Sequence, residues 1–75
     1  MFIVKHKTYK GKDEKPVTAK ILTAETLDKA VSEGIKWLKA NKFPVEHYYR
    51  YWTEGNVTTV DYGSWSSFLE IHEAN

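Results

Sequence analysis

The sequence contains no cysteine, which removes disulfides, zinc-thiolate sites and thiol nucleophiles as sources of stability or chemistry. No apolar run approaches the length needed to cross a bilayer, and the opening Met1-Phe2-Ile3-Val4 gives way at once to Lys5, His6 and Lys7. A signal peptide needs a longer apolar stretch, so a cytoplasmic protein without a membrane span is expected. Glycine-rich phosphate loops, internal repeats, low-complexity tracts and domain linkers are also missing. With no acid pair in a recognisable setting and no evident nucleophile, the chain is expected not to be an enzyme and to use no cofactor. Residues 51–75 lack any base: they hold Glu54, Asp61, Glu70 and Glu73, whereas all eleven lysines and arginines fall in residues 1–50 against six acids.

Seventy-five residues leave room for one core, and a chain this short buries only about 60% of its unfolded surface. The material for that core is aromatic: three tryptophans, five tyrosines and three phenylalanines, each a large packet of buriable area. Disorder is excluded on those grounds. The segregated charge has two readings. It cancels once strands pair, or it leaves a one-sided basic face; internal cancellation across a sheet is the expectation.

Residues 2–9 and 16–22 read as strands around a polar loop, Lys10-Gly11-Lys12-Asp13-Glu14-Lys15. Alternation puts Phe2, Val4, Val17, Ala19 and Ile21 inward. The helical signal follows: Thr26 as N-cap, Asp28 in the first turn, and Leu27, Val31, Gly34 and Leu38 on one stripe with Ala30 and Ile35 beside it. Pro44 forbids continuation. Gly34, central in the stripe, costs about 1 kcal/mol against alanine and predicts a close approach of helix to sheet, with a bulky residue such as tryptophan above it. Period two then returns over residues 46–53, 57–62 and 66–72, with a turn at Glu54-Gly55-Asn56. The predicted fold is α+β, a single helix packed on an antiparallel sheet in the chain order ββαβββ, with residues 1–75 forming one domain.

Three histidines raise the question of a metal, but His6, His47 and His72 share no ligand spacing, so structural roles are expected. In Asp61-Tyr62-Gly63-Ser64-Trp65-Ser66-Ser67 the serines lack the strand and paired glycines of a nucleophile elbow. The segment predicts a turn in which Asp61 and the serines bond the local backbone and Gly63 takes a positive φ. His47-Tyr48-Tyr49-Arg50-Tyr51-Trp52 carries aromatics on both faces of one strand. Five strands at about 4.8 Å spacing span roughly 20 Å or more, while a helix is about 10 Å across. One helix leaves surface bare, and Ile3, Leu22, Phe68 and part of the Tyr48 to Trp52 cluster are the candidates to lie there. Tyr48, Tyr49, Arg50, Tyr51, Trp52 and Phe68 are therefore the candidate partner-binding residues.

The stretch Val60-Asp61-Tyr62-Gly63-Ser64-Trp65-Ser66-Ser67-Phe68, following one helix near the C-terminus, resembles small uncharacterised phage and prophage proteins of Gram-positive bacteria. That resemblance covers about the last quarter of the chain and implies an accessory protein that binds a host or defence protein. The expected function is a non-enzymatic protein-binding module. The alternatives are a nucleic-acid binder using the basic N-terminal strands and the sheet aromatics, and a self-associating homodimeric domain.

Overall fold

The computed structural model describes residues 1–11, 15–45 and 49–74. Along the chain run β1 (Phe2–Thr8), β2 (Val17–Ala24), α1 (Leu27–Ala40), β3 (Arg50–Glu54), β4 (Val57–Asp61) and β5 (Ser67–Glu73). The strands form one five-stranded sheet, antiparallel throughout, in the spatial order β2-β1-β5-β4-β3. Chain order alone does not give that arrangement, because the last strand enters the centre, between β1 and β4. Its alternation suits the place: Ser67, Leu69 and Ile71 are buried while Phe68, Glu70 and His72 are half-buried. A central strand has both edges paired and both faces partly covered.

The helix begins as its sequence predicts. Thr26 has an extended backbone and its hydroxyl accepts the Lys29 N–H at 3.2 Å, satisfying one of the orphan donors of the first turn. It ends before Pro44, in a Schellman arrangement. The Phe43 N–H donates to the Leu38 carbonyl at 2.9 Å and the Lys42 N–H to the Lys39 carbonyl at 3.1 Å, with Lys42 at φ 63°. That reversal drives Phe43 back onto the core.

Ala30, Val31, Ile35 and Leu38 of α1 bury against Val4, Val60, Leu69 and Ile71, with Tyr62 completing the cluster. Gly34 permits the close approach, although the residues above it are not tryptophan. A methyl group there would lie 2.8 Å from Leu69 Cδ1 and 3.4 Å from Val4 Cγ1. Trp37 packs elsewhere, against His6 and Phe43.

Strand β2 departs from simple alternation. Val4 pairs with Leu22 but Lys5 with Lys20, so Ile21 is an extra residue at a β-bulge. Beyond the bulge the faces exchange, and Leu22 turns to the helix side with Val4 instead of lying on the bare face. Val17 and Ala19 share a face with Thr8 and His6 yet stay exposed. The helix starts just after β2 ends and covers only that strand's C-terminal half. Strand β3 begins at Arg50; residues 46–48, expected within it, lie outside the described residues, as do Lys12 to Glu14 of the first loop.

Candidate functional site

Side chains paired across strands share a face, so the register lays out the surface opposite the helix. One row runs Trp52, Thr59, Glu70, Lys5, Lys20, and a second runs Glu54, Val57, His72, Ile3, Thr23. Arg50 stands beside Asp61, and Lys7 beside Phe68. A cleft of about 330 Å³ opens here between the aromatic side chains of Trp52 and Phe68. Thr59 and Glu70 lie between them, and Asp61, Ser64 and Ser67 close one end.

Local hydrogen bonds fix that end. Asp61 Oδ1 accepts the Gly63 N–H at 3.0 Å, and Ser64 Oγ accepts the N–H groups of Ser66 and Ser67 at 3.3 and 3.1 Å. Gly63 sits at φ 99°, so the turn has the chemistry the sequence predicts. The Gly63 bond, with Arg50 Nη2 donating to Asp61 Oδ2 at 3.0 Å, holds the Asp61 carboxyl below its ordinary range. Stability drawn from it is present above the ordinary carboxylate pKa and is lost as pH falls through the lowered one.

Glu70 is held from two sides, by Lys7 Nζ at 3.4 Å and by His72 Nε2 at 3.2 Å. Burial works against the Lys7 charge, but Glu70 and Tyr9 together outweigh it and the lysine pKa rises. Lys7 Nζ also stands 5.6 Å from the Tyr9 ring centre and 5.9 Å from that of Phe68. The segregated charge of the sequence thus cancels where β1 meets β5 and where β3 meets β4.

The remaining polar centre lies on the helix side. His6 Nε2 and the Tyr62 hydroxyl are 2.9 Å apart, both buried, and the imidazole is enclosed by Trp37, Phe43 and Tyr62 with ring centres 5.6, 4.8 and 6.1 Å away. Burial lowers the His6 pKa and raises that of Tyr62. His6 is a core histidine, and His72 a hydrogen-bond partner of Glu70 on the open face. Among the described residues no three metal-ligating side chains come together, and no helix is long and apolar enough to cross a membrane.

Of the residues expected to meet a partner, Arg50, Trp52 and Phe68 share the open face. Tyr51 is opposite Val60 and so points to the helix side, where it stays exposed because the helix lies over β2, β1 and β5. Tyr49 is exposed just before β3, and Tyr48 lies outside the described residues. Sequence reasoning missed Thr59, Asp61, Ser64 and Glu70 as cleft residues, and above all Trp65. That indole is fully exposed on the turn between Ser64 and Ser66. A tryptophan set among glycine and serines, with no apolar neighbour in the chain, was the signal available. Compared with known proteins, the chain matches no family model, no curated protein and no solved structure.

Proposed function

We propose that this protein is a non-enzymatic protein-binding module whose open sheet face, centred on the Trp52–Phe68 cleft, receives a side chain of a partner protein. The observation that carries the reading is Trp65, a fully exposed indole on the turn that also supplies cleft residues. Tryptophan is the residue type most enriched among interface anchors, and leaving all of it in water forgoes a large burial term. A partner that covers Trp65 and fills the neighbouring cleft recovers that term.

The cleft favours a cationic side chain. Trp52 and Phe68 offer ring surfaces to a cation, and Asp61 and Glu70 retain acceptor capacity beyond the bonds described above, since an ionised carboxylate offers about four lone-pair sites. Nucleic acid is the weaker reading. Of Lys5, Lys7 and Arg50, the cations such a mode would use beside the aromatics, Lys7 and Arg50 already lie against Glu70 and Asp61 on the same face. The accessory role of the phage-type resemblance is compatible with a module of this kind and rests on the residue 60–68 stretch alone.

The test is affinity capture from host lysate with and without nuclease, using the wild type, Trp65→Ser and Phe68→Ser. A protein retained by the wild type after nuclease and lost with either variant supports the reading. Retention abolished by nuclease, or unchanged in both variants, sinks it. Trp65→Ser is expected to leave the melting temperature within about a degree of wild type, because it removes no buried area.

A further inference from the structure

We propose that the outer edge of β3, unpaired among the described residues, pairs antiparallel with β3 of a second copy of this chain, joining two sheets into one of ten strands. The two edges of the sheet are not alike. Edge β2 has a bulge at Ile21, a lysine at its centre in Lys20, and Pro16 at its entrance, the features that blunt an edge against pairing. Edge β3 has none of these. Its register with β4 is regular from Arg50 to Glu54, and all five residues are exposed.

Hydrogen-bond parity selects the register. Glu54 and Val57 flank a two-residue turn with Gly55 at φ 60°, the geometry of a tight hairpin whose flanking pair exchanges both backbone bonds. Alternation then turns the N–H and C=O groups of Arg50, Trp52 and Glu54 to β4, and those of Tyr51 and Thr53 outward. A two-fold axis through Trp52 satisfies this parity and is the one register that uses all five residues. It sets Arg50 opposite Glu54 of the second copy, and Glu54 opposite that copy's Arg50. Tyr51 meets Thr53, an aromatic and β-branched pair, and the two Trp52 side chains meet on the open face at a position without backbone bonds, where side chains are closest. Tyr49 falls opposite Gly55, an aromatic over an edge glycine.

The strand is therefore self-complementary in charge as well as shape. Arg50 would stand between two carboxylates, Asp61 of its own chain and Glu54 of the other, which a guanidinium with five donors can serve together. Both clefts remain on the same continuous face.

Sedimentation equilibrium of the full chain decides the matter. The wild type is expected to dimerise reversibly, and Glu54→Arg to weaken association by about tenfold or more by opposing two arginine pairs. Arg50→Glu should weaken it likewise, while an equimolar mixture of the two variants restores a dimer to within about threefold of wild type, because each reversal complements the other. Thr53→Pro removes an outward N–H together with the 2.7 Å hydroxyl bond from Thr53 to the buried Thr58, and, with its fold checked by circular dichroism, should give a monomer, which keeps the test decisive if Arg50→Glu fails to fold. Phe68→Ser should leave self-association unchanged, so this proposal and the cleft reading fail separately. A wild type that stays monomeric to about millimolar concentration, where even contacts of about 4 kcal/mol register, overturns the proposal, as does a Thr53→Pro variant that dimerises like wild type.

Discussion

Gly34 and His6 show how tightly single positions are set. At Gly34 two effects compete. Alanine would gain about 1 kcal/mol of helix propensity, but its methyl would sit 2.8 Å from the fully buried Leu69 Cδ1, and overpacking a closed core costs about 1–3 kcal/mol. Gly34→Ala is expected to destabilise by about 1 kcal/mol net, by urea denaturation. In a Leu69→Ala background the clash is gone, and the same change should become neutral or stabilising; equal effects in both backgrounds would refute the close-contact argument. At His6 the relevant variable is pH. Its folded pKa is lowered by burial, so below about 6.5 the unfolded chain binds a proton that the folded chain resists. This contribution leaves stability unaffected above pH 6.5 and subtracts from it as pH falls through that value toward the folded pKa. Urea midpoints at pH 7.5 and 5 should differ more for wild type than for His6→Gln, which cannot titrate.

At the scale of elements, legibility followed the periodicity. The helix was readable from its N-cap through its buried stripe, since Thr26, Asp28 and the Leu27-Val31-Leu38 pattern are local signals that tertiary structure had no reason to override. Its C-terminus was only half readable. Pro44 marked a limit, but the stop lies at Lys42, a non-glycine residue in the left-handed region, held there because Phe43 gains a place beside His6. Lys42→Gly should remove that strain and stabilise the fold by about 0.5–1 kcal/mol, seen as a raised melting temperature; a loss of stability would mean that the Lys42 side chain does something the backbone geometry does not explain. The strands were legible as strands but not in their arrangement. A bulge leaves no mark on alternation, so Leu22, the residue after Ile21, was assigned to the wrong face. Strand order was hidden for another reason: pairing of β5 with β1 joins residues at least 59 positions apart, and no local pattern encodes it. The cleft inherits that limit. Trp52 and Phe68 were readable as uncovered aromatics, while Asp61, Thr59 and Glu70 join them only because β3, β4 and β5 are neighbours.

For the molecule as a whole, the layout of charge argues about partners more strongly than its sum. The net charge is +1, and the sheet brings the basic N-terminal strands against the acidic C-terminal ones, so Lys7 faces Glu70 and Arg50 faces Asp61. Lys5 and Lys20, opposite each other, are the residual basic feature of the open face. A nucleic-acid mode resting on many phosphate contacts would lose about 10³–10⁵ in affinity between about 50 and 200 mM salt. A protein mode anchored by Trp65, Trp52 and Phe68, with one cation in the cleft, has little to screen over that range, because desolvated contacts respond weakly to ionic strength. Affinity for the captured partner is therefore expected to fall by less than about tenfold over the same interval, measured by calorimetry on the purified pair. Lys5→Gln and Lys20→Gln together should change that affinity little. A steep salt slope, flattened by the same two substitutions, would move the functional surface from the aromatic cleft to the β1–β2 side of the sheet and reverse the choice of partner.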